Sequence, residues 1–238
     1  MAKSPWELML MGHRDEALRL MRDTYARASS GTSETIQLGV AYLWIGDYAA
    51  AWEHFDAANR RRPKDVDALY QLAGAAKWCL QDRRRAVDEW IVGCDCNGTD
   101  GARGASSPLL LFAASVLAPD VFLPSEAERI MSARAETAWL NNWPGPVLEF
   151  ALRRTDEETL RKNCVGVNEL DTAERIWYTD FYLGIRAKAD GERSRYMELM
   201  RRTTATSPRD ATVGRKQFVS RIWGAEFFIA RDELLSTR

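Results

Sequence analysis

Apolar residues along this chain recur every three to four positions, in runs that stop abruptly at glycine. Leu38 and Tyr42 fall on one helical face, the pattern breaks at Gly46-Asp47, and Ala51, Phe55 and Ala58 resume it on a new face. Such a break between two amphipathic runs predicts a helix, a tight turn and a second, antiparallel helix. The device is used more than once. Moving residues 46–55 back by 34 positions lays Gly46 on Gly12, Ala51 on Ala17 and Phe55 on Met21. A small residue followed four positions later by a large one marks the second helix each time, and a repeat of this length predicts tandem helical hairpins. No alternating stretch of useful length predicts a strand.

The pattern continues unevenly. Residues 66–97 carry Leu69, Leu72, Ala73 and Ala76 and, with one additional residue after Leu80, place Ala86 and Trp90 on the second helix. Residues 6–28 supply a partial first unit. Residues 177–210 restore the spacing with Leu183, Gly184, Ala187, Gly191, Met200 and Pro208. Tyr196 stands there where a small residue is expected, which predicts a second helix that is tilted or further away. Between these units, 94–176 is irregular. Gly98, Gly101 and Gly104 predict a flexible loop over 94–107, followed by a buried helix over 108–118. Ser125 is placed to cap a helix over 126–140, Trp139 and Trp143 flank a Pro-Gly-Pro corner, 147–152 is helical, and a short helix begins at Thr155. Near the end, Phe218, Ile222, Phe227 and Leu234 lie on one side of a helix spanning 214–235, expected to cover the last face of the stack. The expectation is one all-α domain over 1–238, clearest at 32–65 and 177–210.

Leu38, Gly39, Tyr42, Ala51, Phe55, Ala58 and Pro63 stand at the spacing of the tetratricopeptide repeat (TPR) family, with Thr35 the one departure. On these residues the chain resembles a bacterial TPR-containing protein, and its late repeat resembles those of lipoprotein adaptors. The resemblance implies a right-handed superhelix of helical hairpins whose concave face is lined by the first helix of each unit. In that register the partner-binding candidates are Ile36, Val40 and Trp44; Tyr70, Lys77 and Trp78; and Phe181, Ile185 and Lys188. Trp44 and Trp78 lie 34 apart and are expected at equal height on neighbouring helices. The implied function is non-enzymatic: a partner protein's segment is held in the groove. Neutralisation of a bacterial toxin by direct binding, as an immunity protein, is the first alternative, and association with RNA or tRNA the second.

Charge and chemistry alter this picture little. With 33 basic against 34 acidic residues there is no global field to draw nucleic acid or an anionic surface. Arg60–Arg62 and Arg83–Arg85 are the local exceptions. The longest apolar stretch, 108–119, is too short to span a bilayer, and the N-terminus lacks an apolar signal core, so a cytoplasmic protein without membrane contact is expected. Cys94 and Cys96 suggest metal, but the chain has two histidines and no second cysteine pair nearby, so no metal or cofactor is expected. No P-loop, nucleophile elbow or His-based metal motif is present, and no catalytic residue is assigned.

Overall fold

The computed structural model describes residues 5, 8, 11–27, 32–61, 63, 64, 66–96, 98, 100–205 and 224–236. Among these the chain forms twelve helices and no strand. They are α1 (Arg14–Arg27), α2 (Thr32–Ile45), α3 (Tyr48–Arg61), α4 (Asp67–Cys79), α5 (Arg83–Cys94) and α6 (Ser106–Leu117). There follow α7 (Pro124–Ala135), α8 (Gly145–Ala151), α9 (Glu157–Lys162), α10 (Glu169–Ala189), α11 (Arg193–Ala205) and α12 (Ala225–Ser236). None is long and apolar enough to cross a membrane. Trp6, Arg62, Pro208, Phe218 and Ile222, all used above, lie outside the described residues.

Three hairpins, α2–α3, α4–α5 and α10–α11, are built on one plan. Each turns at a residue in the left-handed region: Gly46 at φ 89°, Gln81 at 63° and Gly191 at 81°. The next amide reaches five residues back, Asp47 to Tyr42, Asp82 to Lys77 and Glu192 to Ala187, at 2.8–3.0 Å. This is the Schellman closure, which satisfies carbonyls that a helix end leaves open. Gly12, at φ 87°, with His13 N–H donating to the Leu8 carbonyl at 2.9 Å, repeats it ahead of α1. Nine residues after each turn stands a fully buried large side chain: Met21, Phe55, Trp90 and Met200. Seven residues before three of the turns stands a helical glycine, and the large side chain lies against it. A Cβ on Gly39 would come within 2.6 Å of Phe55 Cε1, one on Gly74 within 2.7 Å of Trp90 Cδ1, and one on Gly184 would meet Met200 Cε.

This geometry fixes a register that differs from the expected one. The first two turns, at Gly12 and Gly46, are 34 residues apart, whereas Gly46 and Gln81 are 35 apart. The glycines Gly39 and Gly74 and the knobs Phe55 and Trp90 keep that same longer offset. The additional residue therefore belongs ahead of Gly74 and not after Leu80. Trp78 is the counterpart of Leu43, and Cys79 is the counterpart of Trp44. In the late hairpin Gly184 meets Met200 as its counterparts meet Phe55 and Trp90, while Tyr196 is buried and bonds to Glu233.

The irregular middle is ordered by specific contacts. Asp100 accepts from the Gly104 amide at 2.7 Å, the Ser106 amide at 2.9 Å and the Ser106 hydroxyl at 2.8 Å. Ala102 and Ala105 are buried there, so 100–107 is a packed turn rather than a loose link. Helix α7 starts at Pro124, ahead of the expected Ser125 cap, because Leu123 is the extended residue before it. Asp156 caps α9, accepting from the Thr159 amide at 2.8 Å.

Consecutive helices pack in order, and the even-numbered ones also meet one another: α2 with α4, α4 with α6, α6 with α8 and α10, α8 with α10, and α10 with α12. These form one row, in which α4 and α6 are buried along most of their length and α12 along half of it. One further contact closes the row. Helix α12 packs on α4, some 150 positions earlier, as well as on α11.

Candidate functional site

The seat of α12 engages two of the expected binding residues, Trp44 and Lys188. An isolated end cap would be amphipathic, with one dry face. Helix α12 instead buries Ala225, Glu226, Phe228, Ile229, Ala230 and Asp232, which point to several sides. It packs on α4, α10 and α11, two of which the repeat pattern expected to line an open groove.

The apolar part of the seat comes from both ends of the chain. Phe227 stacks on Trp44 at the end of α2, ring centres 5.6 Å apart. Its neighbour Phe228 lies edge-on to Phe227 at 5.3 Å and is fully buried, and the Phe228 carbonyl accepts from Cys79 Sγ at 3.6 Å. Trp44 and Cys79, equivalent under the 35-residue offset, thus both touch α12.

The polar part is made by Arg231, Asp232 and Glu233, with Glu226 about one and a half turns earlier. Arg231 donates to the carbonyls of Leu43 at 2.8 Å and Trp44 at 3.1 Å, and to the Tyr48 hydroxyl at 3.2 Å. A guanidinium here adds a second donor to the Leu43 carbonyl, which also accepts from the Gly46 amide at 3.2 Å, and complements the negative end of the α2 dipole. Arg83 does the same for α4, donating to the Trp78 carbonyl at 2.9 Å, and also pairs with Asp232 at 3.0 Å. Gln81 adds a bond to Asp232 at 3.2 Å. Gln81 occupies the left-handed position where the other turns have glycine, a conformation that costs a non-glycine residue of order 1 kcal/mol; its side chain is used on α12. Glu233 accepts from Tyr196 at 2.8 Å and Lys188 at 3.4 Å. Glu226, 2% exposed, accepts from Tyr182 at 2.9 Å.

Burial sets the electrostatics of the seat. Desolvation raises the Glu226 carboxyl above the usual carboxylate range, with the Tyr182 hydrogen bond opposing it. Asp232 is raised by burial too, against the pull of Arg83 and Gln81. Burial, and then the Asp232 charge, push the Cys79 thiol up to about 12, while Arg231 and Arg83 oppose.

The nine expected partner-binding residues divide by place. Trp44 and Lys188 touch α12 directly. Phe181 and Ile185 are fully buried on α10, and Val40 is buried on α2 with Ile36 half-buried beside the core. Trp78 is 1% exposed and packs on Trp90 of its own hairpin at 5.5 Å, with the Arg83 guanidinium 3.9 Å above its ring. It is not at the height of Trp44. Lys77 lies 3.7 Å over the Trp52 ring, between successive hairpins. The Tyr70 hydroxyl accepts from the Lys64 amide at 3.2 Å. Sequence reasoning missed Gln81, Arg83, Tyr182, Tyr196, Glu226, Arg231, Asp232 and Glu233. The signal available was a run of charge, Arg231-Asp232-Glu233, directly after Phe-Phe-Ile-Ala with no polar face to hold it.

The other chemistry-bearing groups are held by packing. His54 stacks on Tyr42 at 5.2 Å, and burial lowers its pKa. Cys164 lies 3.1 Å from the Thr179 hydroxyl. Burial pushes the Cys94 thiol up to about 12. Among the described residues no group of three His, Cys, Asp or Glu is placed to hold a metal ion. Within Arg83–Arg85, Arg83 is committed to α12, and within Arg60–Arg62, Arg60 pairs with Asp56 and Arg61 donates to Thr35 at 3.1 Å.

No protein-family model matches the chain, and no curated protein matches it.

Proposed function

We propose that this protein is a non-enzymatic, TPR-like interaction module whose inner face is built to hold one helix, and that α12 is its resident occupant. A partner protein would be recognised by presenting a helix of the same chemistry: a pair of aromatic residues for the Trp44 and Cys79 side, followed one turn later by an arginine and an acid. The observation that carries this is the seat itself. Aromatic stacking, two helix ends capped by arginines, and an Arg–Asp pair all converge on a segment distant in sequence. Helix-in-groove recognition uses this combination of apolar anchors and flanking polar contacts. The engagement of the thiols, His54 and Arg83 in packing supports a binding role over catalysis or RNA contact.

The test uses the full-length chain with Arg231→Ala and Asp232→Ala, which weaken the resident helix, and a fluorescent peptide of residues 224–236 added in trans. An intrinsic site hidden by an occupant shows an apparent affinity reduced by the fraction of time it is open. The peptide is expected to bind the double variant at least about tenfold more tightly than the wild-type chain, with the variant remaining helical. Equal weak binding to both chains would show that α12 is permanent core and that partners dock elsewhere.

A further inference from the structure

A second site adjoins the seat at Lys188, where the end of α10 faces α6, α7 and α8. Phe112 and Val116 of α6, Met131 of α7 and Leu152 at the end of α8 wall a half-open cleft of about 480 Å³. Arg186 also lines it. That volume falls within the range of small-molecule sites, which combine apolar walls with a few placed polar groups.

The charges in the cleft are unequally compensated. Arg153 pairs with Asp190 at 2.5 Å and Lys188 with Glu233 at 3.4 Å. Arg186 donates Nη2 to the Ala151 carbonyl and lies 5.0 Å over the Phe112 ring. Its buried Nε has no hydrogen-bond partner, and among the described residues no carboxylate reaches it at ion-pair distance. A half-buried guanidinium held by one carbonyl and one ring is under-satisfied, since buried charge is costly unless it is paired. Desolvation and the neighbouring Arg153 charge lower its pKa, against the opposing pull of Asp190 and Glu128. Glu128 also lines the cleft, so a ligand with two or more negative charges would meet repulsion there.

We propose that this cleft binds a small monocarboxylate with an apolar body, its carboxylate pairing with Arg186 and its body lying against Phe112, Val116 and Met131. The inference is independent of the α12 seat. Calorimetric titration of the full chain with 4-phenylbutyrate is expected to show saturable binding. The neutral 4-phenylbutanamide, the diacid phenylsuccinate and apolar-free acetate should each bind at least about tenfold more weakly, because each lacks one matched feature. Arg186→Gln should weaken 4-phenylbutyrate by at least about tenfold. Val116→Trp, which fills the cleft while keeping the Arg186 side chain, should do the same, and decides the matter if Arg186→Gln does not fold. No saturable binding up to about 10 mM, or equal binding of acid and amide, overturns the proposal.

Discussion

Adding one methyl group at Gly74 tests the hairpin geometry most sharply. The new Cβ would sit 2.7 Å from both Cδ1 and Cε2 of Trp90, well inside contact distance. The indole has no direction in which to yield. It is fully buried, its ring lies 5.5 Å from that of Trp78, and its Nε1 donates to the Gln71 carbonyl at 3.1 Å. Overpacking of this kind costs about 1–3 kcal/mol. Alanine returns up to about 1 kcal/mol through its better helix propensity. With a rigid neighbour the upper part of the first range applies, leaving a net loss of about 2 kcal/mol, or roughly 4–8 °C in melting temperature for a chain of this size. Gly184→Ala is the control. There the methyl meets the terminal methyl of Met200, the end of a flexible side chain, with Leu199 Cβ at 3.3 Å. Its net effect should lie within about 0.5 kcal/mol of zero. Gly39→Ala, against the Phe55 ring at 2.6 Å, should fall between them. Urea melts read by circular dichroism, with unchanged slope, give the three values. A Gly74→Ala chain as stable as the parent, or a Gly184→Ala chain equally damaged, would refute the 35-residue register.

Three further outcomes concern α12. Glu226→Gln should leave the protein at least as stable at neutral pH: the raised folded-state pKa means the native acid's contribution is full below the ordinary carboxylate range and is lost as pH rises through it, while glutamine still accepts from Tyr182. Comparing urea midpoints near pH 7 and about pH 4 checks this, and the advantage of glutamine should shrink at the lower value. Arg231→Ala removes the hydrogen bonds to the Leu43 and Trp44 carbonyls and to the Tyr48 hydroxyl and should cost about 1–3 kcal/mol, with hydrogen exchange accelerating first in 225–236. The Cys79 thiol, raised to about 12 and covered by Phe228, should react with an aromatic disulfide only as fast as α12 opens, so Arg231→Ala should accelerate its labelling while Cys164 labelling stays slow. Equal acceleration at both thiols would mean global rather than local opening.

Much of the fold was legible in the order of residues because a hairpin is a local object. Glycine at a left-handed turn, a small residue five positions on and a large one nine positions on all act within about thirty residues, so Gly46, Ala51 and Phe55 announce their structure unaided. The phase between units was not legible. Whether Trp78 matches Trp44 or Leu43 depends on a single residue in the linker, and only the contact of Gly74 with Trp90 decides it. Nor could the pattern tell a capping helix from an inserted one. Phe227 and Phe228 read as an apolar face in either case; what distinguishes them is that the carbonyls of Leu43 and Trp44, and the side chains of Cys79, Gln81, Arg83 and Tyr196, meet α12 from distant parts of the chain. Local periodicity dictates which face of a helix is dry, while the partner that dries it is chosen by three-dimensional closure, where hydrogen-bond satisfaction of buried charges discriminates between otherwise equivalent apolar surfaces.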